Sequence, residues 1–256
     1  MEPRGARALI TGATGGLGQA IAASLATLGA EVVITGRRAE VLDELAQRLE
    51  AEAIVADLCD RSDLERVAEA ARSCDILIAN AGIGHDAPIE AVTTDDIDTQ
   101  IDVNLRAPVI LATAFAQAHL EASTPGQIVT IGSLSGLAAS PESRLYNATK
   151  FGLRGYTLAL RQDLADHRIG VTHVAPGFIR DAGMFHDGGI DLPKGTRTKA
   201  PGDVAAGVLR AIRENPAEVF VSPLELRLGA TLATVAPSLS AKVQKRLDAA
   251  GRQRAD

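Results

Sequence analysis

Short apolar runs alternate with longer amphipathic segments along most of the chain. Seven apolar runs predict strands, at 8–10, 31–35, 53–56, 75–79, 126–132, 170–174 and 217–221. Between them, apolar residues recur three or four positions apart, as on the buried face of a helix. Strands that alternate with helices pair in parallel through right-handed crossovers. The pattern therefore predicts a doubly wound α/β fold, with a parallel sheet of about seven strands and helices on both faces.

Glycine, proline and capping residues predict where the helices begin and end. Gly29 stops the first helix, and Ser62-Asp63-Leu64-Glu65 reads as a capping box in which Ser62 begins the third. Pro108 lies inside the longest predicted helix, where it removes a backbone hydrogen bond and should cause a kink. The predicted helices cover 19–28, 39–50, 62 to about 72, 94 to about 122 and 201–213.

The composition fits one large domain. A chain of 256 residues with 46% hydrophobic content can bury a substantial core, so we expect a single domain over 1–256. Within it, the glycine-rich stretch 183–200 lacks periodicity and predicts a lid over the substrate, and 224–256 predicts an amphipathic helical tail. The net charge of -6 argues against nucleic acid as a partner, because binding phosphates needs a basic surface.

Cysteine usage and the apolar runs bear on the compartment. Cys59 and Cys74 form no C-x-x-C pair and no histidine cluster accompanies them, so neither a metal site nor a disulfide framework is predicted. Free thiols are typical of cytosolic proteins. The first predicted strand begins by about Ala6, which leaves no room for a signal peptide, and no apolar run approaches the length of a membrane span. We therefore expect a cytoplasmic protein.

A glycine-rich turn follows the first predicted strand. The sequence Thr11-Gly12-Ala13-Thr14-Gly15-Gly16-Leu17-Gly18 lies between an apolar strand and a helix. Glycines let backbone N–H groups approach an anion closely, and the positive end of the helix dipole adds to the attraction. This turn therefore predicts a seat for phosphate.

The end of the second predicted strand bears on the choice of cofactor. In a dinucleotide-binding fold, an acidic residue here binds the ribose 2′-hydroxyl, whereas an arginine accommodates a 2′-phosphate. The chain has Gly36-Arg37-Arg38 at this position, a glycine followed by two guanidinium groups. On charge grounds the sequence favours NADP(H), and NAD(H) is the alternative if both arginines are simply solvated residues at a helix start.

Two candidate catalytic groups share one helix face. Tyr146 and Lys150 are four residues apart, so a helix brings the ammonium close to the phenol. A positive neighbour favours the phenolate form, which makes Tyr146 a candidate general acid and base. Ser133 follows the fifth predicted strand, and ligands bind outside the carboxyl ends of the strands in open α/β sheets.

These motifs resemble those of the short-chain dehydrogenase/reductase family. The glycine turn matches the family's T-G-x-x-x-G-x-G pattern, and Asn80-Ala81-Gly82 matches its N-A-G turn. Tyr146 and Lys150 match its Y-x-x-x-K motif, with Ser133 at the usual interval of 13 positions before the tyrosine. The resemblance implies a Rossmann-type domain and a hydride transfer between a nicotinamide and a carbonyl or alcohol substrate.

The resemblance also implies roles for individual residues. Tyr146 would protonate the carbonyl oxygen during reduction, Ser133 would polarise that oxygen, and Lys150 would hold the nicotinamide ribose. Asn104 matches the family's active-site asparagine, which holds a water molecule in a proton relay. The cofactor would contact Gly12, Thr14, Gly15, Gly16, Leu17, Gly18, Arg37, Arg38, Asp57, Leu58, Asn80, Ala81, Gly82, Tyr146, Lys150, Pro176, Gly177 and Ile179.

The segment around the sixth predicted strand holds one departure from the family pattern. Asp181 stands where the family usually has a threonine that touches the pyrophosphate, which would place like charges close together. Either Arg180 compensates this charge or Asp181 turns away. In the strand itself, His173 is expected to be a core residue.

Two other functions stay open at this point. One is an acyl-thioester ketoreductase, although those relatives usually end the seventh strand with an Asp-Gly-Gly turn, where this chain has Ser222-Pro223-Leu224. The other is a binding protein that senses NADP(H) without catalysis, which would not need a complete set of catalytic side chains. We therefore expect an NADP(H)-preferring oxidoreductase.

The tail and the long helices bear on partners. The predicted helices that begin at Thr94 and at Leu145 form dimer faces in the family, so we expect a homo-oligomer.

From 224 onward the chain has six basic residues against three acidic ones, a net charge of +3, and such a helix could lie on an anionic membrane surface. The apolar stripe is narrow and lacks Trp or Phe anchors, so packing on the protein's own sheet, lid or partner subunit is favoured. Its members are Leu228, Leu232, Val235, Leu239, Val243 and Leu247.

Overall fold

The computed structural model describes residues 1–84, 88–141, 143–181 and 197–238. Within these ranges one parallel sheet is built from β1 (Arg7–Ile10), β2 (Glu31–Gly36), β3 (Glu52–Val55), β4 (Ile76–Ala79), β5 (Gly126–Ile131), β6 (Ile169–Pro176) and β7 (Glu218–Val221). Its order is β3-β2-β1-β4-β5-β6-β7, and neighbouring strands run parallel throughout. The predicted fold class is confirmed.

Helices cover both faces of the sheet. They are α1 (Gly16–Thr27), α2 (Ala39–Leu49), α3 (Arg61–Arg72), α4 (Thr94–Ile101), α5 (Ala107–Ala122), α6 (Arg144–Asp163), α7 (Pro201–Glu214) and α8 (Leu224–Val235). In the part of the chain that the structure describes, no helix is both long and apolar enough to cross a membrane. Most of the predicted lid and the end of the tail, 182–196 and 239–256, lie outside the described residues.

Two apolar cores lie on opposite faces of the sheet. Ile10 of β1 packs in one core with Ile21 of α1, whereas its neighbour Leu9 packs in the other with Phe115 of α5. Successive side chains of a strand point to opposite faces, so a strand buried on both sides reads as a continuous apolar run. Each fully buried side chain of this size stabilises the fold by about 1.5–3 kcal/mol.

The strand order reverses between β1 and β4. From β1 the chain builds β2 and β3 on one side, and it then crosses to β4 and continues outward on the other. In open sheets of this kind a crevice forms at the reversal, outside the carboxyl ends of the strands. The turns that follow β1, β4 and β5 all open onto this edge, which places the candidate motifs together.

The third helix begins earlier than its predicted capping box. Its N-cap is Asp60, whose Oδ1 accepts a hydrogen bond from the Asp63 amide at 2.9 Å. Aspartate is as strong an N-cap as serine, so the carboxylate two positions earlier takes the role. Ser62 lies inside the helix and donates its hydroxyl to the same carboxylate at 2.6 Å. The prediction of Ser62 as the N-cap was therefore wrong.

The long helix predicted from 94 to 122 is interrupted. A π-helical turn, Asp102–Arg106, separates α4 from α5, and the Ala107 amide donates to the Asp102 carbonyl five residues back. Pro108 has no N–H to donate to the Asn104 carbonyl four residues earlier. The irregularity expected from Pro108 thus lies in the turn just before it, and π-helical turns are frequent at functional sites.

Candidate active site

The glycine turn between β1 and α1 is shaped by two close backbone approaches. Gly12 has a φ of 65°, and a Cβ there would meet Ala81 Cα at 2.7 Å. A Cβ on Gly18 would collide with the Gly12 carbonyl and with Ala13. The N-cap Gly15 supplies no side-chain acceptor, and the first turn of α1 holds no acidic residue. The positive end of the helix therefore faces this turn without a carboxylate of its own.

The N-A-G turn after β4 is tied to the end of β1 by Thr11. The buried Thr11 Oγ1 accepts hydrogen bonds from the Asn80 and Ala81 amides at 3.0 and 2.9 Å. Asn80 Nδ2 donates to the Thr11 carbonyl at 2.8 Å. Thr11 is the first residue of the glycine motif, but its side chain was given no role there, although a hydroxyl at the end of a buried strand must find partners. These bonds fix the two predicted cofactor turns against each other.

The arginines after β2 lie beside the glycine turn. A Cβ on Gly36 would meet Thr14 Cγ2 at 2.8 Å, so the two turns are in close contact. The Arg38 guanidinium donates a hydrogen bond to the Thr14 carbonyl. Both Arg37 and Arg38 are exposed, and no ion pair within the described ranges joins either of them to a carboxylate. Their positive charge is available to an anion at this position.

The turn after β3 lies within electrostatic reach of Arg37. Asp57 Oδ1 accepts a hydrogen bond from the Cys59 amide at 3.0 Å, and Leu58 is buried. Burial raises the pKa of the Cys59 thiol and the charge of Asp57 raises it further, whereas the Arg37 guanidinium lowers it. The charges of Arg37 and Asp57 thus both act on the Cys59 thiol, which directly follows the predicted cofactor contacts Asp57 and Leu58.

Lys150 of α6 is buried close to Tyr146. Its side chain is 2% exposed, and Nζ donates to the Ile131 carbonyl at 3.0 Å. The ammonium lies 5.5 Å from the centroid of the Tyr146 ring. Burial lowers the pKa of Lys150 to about 8, because the charged form loses its hydration. The half-buried Tyr146 thus has a cationic neighbour whose charge depends on pH near neutrality.

Asn104 lies in the π-helical turn and is fully buried. Its Oδ1 accepts from the Ile83 amide and its Nδ2 donates to the Ile83 carbonyl, both at 2.8 Å. Nδ2 also donates to Thr149 Oγ1 at 3.2 Å. A Cβ on Gly82 would lie 3.4 Å from Asn104 Oδ1 and 3.4 Å from Lys150 Nζ. Asn104 and Lys150 therefore approach the same point beside the N-A-G turn.

Ser133 stands at the carboxyl end of β5 and begins a tight turn. Its Oγ accepts a hydrogen bond from the Ser135 amide at 3.1 Å. The buried Asn147 holds the segment that follows, because its Nδ2 donates to the Ser135 carbonyl at 2.8 Å and its Oδ1 accepts from the Ser140 amide at 3.1 Å. Asn147 is the neighbour of Tyr146 in α6. Asn147 therefore holds the segment that follows Ser133 against the first turn of α6, next to Tyr146. The sequence alone did not indicate this role.

The end of β6 and the segment after it carry the last of the predicted cofactor contacts. β6 ends at Pro176, Gly177 follows, and Ile179 is buried. Asp181 has a φ of 67° and an exposed side chain, and its Oδ2 lies 3.3 Å from Arg180 Nε. Arg180 thus compensates the charge of Asp181, and the carboxylate is also open to water. Among the described residues, no cluster of His, Cys, Asp or Glu could hold a metal ion.

A parallel sheet with a glycine turn at its switch point is the architecture of dinucleotide-binding enzymes. The short chain dehydrogenase family model matches residues 6–189. The chain therefore belongs to the short-chain dehydrogenase/reductase family and is an NAD(P)-dependent oxidoreductase. This membership confirms the resemblance inferred from the motifs.

Known relatives agree with this assignment. The 3-oxoacyl-[acyl-carrier-protein] reductase FabG of Rickettsia conorii is 36% identical over 178 residues, 69% of this chain and 73% of its own. A short-chain dehydrogenase of Sphingobium yanoikuyae in complex with NADPH has a TM-score of 0.79 and 29% identity, covering 95% of each chain. A 3-ketoacyl-(acyl-carrier-protein) reductase of Brucella melitensis complexed with NADH has a TM-score of 0.76 and 28% identity, covering 86% of this chain and 97% of its own.

Proposed function

We propose that this protein is an NADPH-preferring oxidoreductase that interconverts a carbonyl compound and its alcohol within a single domain. Asn104, Ser133, Tyr146 and Lys150 act as its catalytic residues. The observation that supports this most is the buried Lys150, whose Nζ lies 5.5 Å from the Tyr146 ring and 3.0 Å from the Ile131 carbonyl. Keeping a lysine in a buried position is costly, and such perturbed groups cluster at functional sites.

The residues around the switch point fit a nicotinamide dinucleotide phosphate. Gly12 and Gly18 let the glycine turn pack tightly against Ala81 and against itself, and the start of α1 beside this turn has neither a side-chain cap nor an acidic residue, as suits a phosphate. Arg37 and Arg38, after β2, match the position that receives a 2′-phosphate. The NADPH complex of the Sphingobium relative supports the same choice, whereas the NADH complex of the Brucella relative keeps NAD(H) as an alternative.

The catalytic residues handle the proton and the carbonyl oxygen. When bound, the reduced nicotinamide supplies the hydride. Tyr146 gives its proton to the carbonyl oxygen, and Ser133 Oγ donates a hydrogen bond to the same oxygen. The Lys150 ammonium stabilises the phenolate that remains. The Asn104 carbonyl, to which Pro108 four residues later has no N–H to donate, holds a water molecule through which a proton returns toward Lys150 and Tyr146.

A substrate screen tests the proposed activity. NADPH oxidation would be followed at 340 nm over aldehydes, ketones, quinones and acyl-thioesters, with the Tyr146→Phe variant as the matched control for each compound. We expect at least one carbonyl class to be reduced by the wild type and not by the variant. Turnover of every active compound at equal rates by both proteins would contradict the proposed catalytic role.

An acyl-thioester ketoreductase is the second candidate, and the likeness to the Rickettsia reductase supports it. Against it, β7 is followed by Ser222-Pro223-Leu224 rather than the Asp-Gly-Gly turn usual in those relatives. The screen separates the two candidates, because a ketoreductase would prefer 3-oxoacyl-thioesters over simple ketones by a large factor in kcat/KM.

The arginines after β2 should decide the cofactor preference. The wild type should bind NADPH at least ~10-fold more tightly than NADH, since a charge-assisted hydrogen bond to the 2′-phosphate contributes about 1.5–3 kcal/mol. The double change Arg37→Ala and Arg38→Ala should erase this preference without weakening the binding of NADH. Fluorescence titrations with both cofactors measure it, and Arg48→Ala in the last turn of α2, an exposed position, serves as a control for loss of surface charge. Equal affinity of the wild type for both cofactors would refute the prediction.

The rate of carbonyl reduction should fall as the pH rises through about 8, the pKa to which burial lowers Lys150. Below this value the ammonium is charged and stabilises the Tyr146 phenolate left after proton transfer, and above it that charge is lost. The apparent value belongs to the Tyr146 and Lys150 pair, because coupled groups titrate together. Measuring kcat at saturating NADPH between about pH 6 and 10 checks this, and a flat profile would contradict it.

α8 presents an apolar face away from the other residues that the structure describes. Ala230 is buried against the fold and Thr234 Oγ1 donates to the Leu137 carbonyl at 2.8 Å, whereas on the opposite side four apolar residues are 49–80% exposed. They are Leu224, Leu228, Leu232 and Val235. Leu228, Leu232 and Val235 therefore do not pack on the sheet, and the predicted packing of the stripe on the lid or on a partner subunit stays a prediction. Leu239, Val243 and Leu247 lie outside the described residues.

We infer that this face contributes to a cytoplasmic homo-oligomer. Light scattering at micromolar concentration should give a mass above the 26.6 kDa of one chain, and Leu228→Asp with Leu232→Asp should lower it because charges oppose apolar burial. A monomer in the wild type would contradict the inference. Co-sedimentation of the full chain, but not of a variant lacking 224–256, with anionic liposomes would instead assign the face to a membrane.

A further inference from the structure

A histidine that the proposed mechanism does not use lies next to the carboxyl end of β5. His173 of β6 is fully buried and pairs in register with Thr130 of β5. Its Nδ1 lies 2.9 Å from Thr130 Oγ1, which lies 2.9 Å from Thr157 Oγ1 of α6. Thr157 Oγ1 donates in turn to the Leu153 carbonyl at 2.7 Å. One polar chain thus joins β6, β5 and α6 inside the core.

The donor and the acceptor in each of these hydrogen bonds follow from the number of hydrogens available. A hydroxyl has a single hydrogen to donate, and Thr157 uses its own on the Leu153 carbonyl. Thr157 therefore accepts from Thr130, and Thr130, whose hydrogen is then used, must accept from His173 Nδ1–H. The imidazole consequently carries its proton on Nδ1. Its Nε2 is the unprotonated nitrogen, and it is buried without a hydrogen-bond partner among the described residues.

Nε2 is packed against the backbone beside Ser133. A Cβ on Gly132 would overlap Nε2 and Cε1 of His173, so the ring occupies the space that a side chain at 132 would need. Gly132 lies between Ile131, whose carbonyl accepts from Lys150 Nζ, and Ser133. The ring therefore contacts the backbone residue that links the Ile131 carbonyl to Ser133.

Charged groups on two neighbouring elements act on this ring. Burial lowers the pKa of His173 to about 4, Glu218 of β7 opposes the shift, and Lys150 and Arg154 of α6 add to it. The glutamate is itself paired with Arg154, at 2.7 Å between Nε and Oε1. At neutral pH the imidazole is therefore uncharged, in agreement with the proton count.

We propose that His173 is a positioning residue whose neutral, Nδ1-protonated ring fixes β5, with Ser133 and the Ile131 carbonyl, against α6, with Tyr146 and Lys150. It does so at both ends of the ring, through the hydrogen-bond chain from Nδ1 and through the contact of Nε2 with Gly132. The proposal rests on the catalytic roles proposed above. Displacements of ~1 Å between reacting groups can cost ~10²-fold in rate, so fixing this separation affects turnover.

Variants of His173 and Thr130 test whether the hydrogen bonds that begin at His173 Nδ1 position the catalytic residues. His173→Leu keeps most of the bulk and removes the donor, His173→Asn keeps an amide nitrogen near the Nδ1 position, and Thr130→Val removes the central link. His173→Leu should lower kcat by ~10-fold while the Kd for NADPH stays within about twofold. His173→Asn should recover most of this loss. His173→Leu combined with Thr130→Val should be no worse than either single variant, because both break one chain.

Several outcomes would overturn the role of His173. One is a kcat of His173→Leu equal to that of the wild type. Another is a kcat of His173→Asn no higher than that of His173→Leu. A third is a loss of kcat in the double variant equal to the product of the two single losses. Tyr146→Phe in the same assay separates the two proposals, because loss of activity in Tyr146→Phe with full activity in His173→Leu overturns only the positioning role. Full activity in Tyr146→Phe overturns the proposed function instead.

A spectroscopic measurement tests the ring directly and does not depend on catalysis. In wild-type protein labelled with ¹⁵N-histidine, the signals that disappear in His173→Leu identify the residue. They should show a protonated Nδ1 and a bare Nε2 that do not titrate between about pH 5 and 9. A proton on Nε2, or a titration in this range, would overturn the proposal whatever the variants show.

Discussion

Replacing Tyr146 with phenylalanine should lower turnover by at least ~10², because the variant lacks the proton donor for the carbonyl oxygen. The ring and its packing remain, and the glycine turn and both arginines are unchanged. The Kd for NADPH should therefore stay within about twofold of the wild type. Steady-state kinetics and a fluorescence titration measure the two quantities separately. Near-normal turnover would exclude Tyr146 as the proton donor.

The chain offers a matched control in its only other tyrosine. Tyr156 lies ten residues further along α6, and its hydroxyl bonds to Thr113 Oγ1 at 2.9 Å and to the Val109 carbonyl at 3.2 Å, in the core below α5. Tyr156→Phe removes the same atom from the same helix and should cost about 1 kcal/mol in the free energy of unfolding. Its turnover should match the wild type, and a large loss there would mean that any hydroxyl lost from α6 disturbs the enzyme.

Replacing Gly12 with alanine should weaken the binding of NADPH at least ~10-fold. It should also lower the free energy of unfolding by ~2–5 kcal/mol. The backbone at Gly12 is in the left-handed region, and the new methyl group would meet Ala81 Cα at 2.7 Å. Either the glycine turn or the N-A-G turn must then move, and both are predicted to contact the cofactor. Denaturant unfolding and NADPH titration measure the two effects.

Gly5→Ala separates backbone strain from collision. Gly5 also has a left-handed φ, of 74°, but a Cβ there has no atom within 4 Å. This variant should lose only ~1–2 kcal/mol of unfolding free energy, the cost of the left-handed conformation itself, and should bind NADPH normally. If both variants lose the same stability and the same affinity, the contact with Ala81 has no special role.

The central strands were predictable because they are buried on both faces, as in β4, β5 and β6, whereas the edge strand β3 is largely exposed. The run Ile76-Leu77-Ile78-Ala79 is apolar from end to end, and it forms β4 with all four residues buried. Turns that need glycine were equally visible, since Gly12 and Gly18 tolerate no side chain. Physical constraints of these kinds act on a few neighbouring residues, so the sequence displays them.

The less predictable parts depend on partners that are distant in sequence. Asn80 bonds to Thr11 across 69 positions, and nothing in the spacing of the two residues announces this. Asn147 binds carbonyl groups of a turn whose shape the sequence does not define. The prediction of the N-cap of α3 failed for a different reason, because Asp60 and Ser62 are both strong capping residues and propensity does not choose between them. In all three cases the conformation of the folded backbone determines which residue makes the hydrogen bond.

The uncapped start of α1 has a consequence for the lifetime of the protein in the cell. Its N-cap Gly15 offers no side-chain acceptor, and its first turn contains no acidic residue, so a phosphate group would complete the helix where other helices use a side chain. A ligand that binds only the folded chain shifts the folding equilibrium toward it. The nicotinamide nucleotide is then part of the folded structure as well as a reactant. When the nucleotide supply falls, the enzyme loses stability together with activity, and proteases meet more of the unfolded chain.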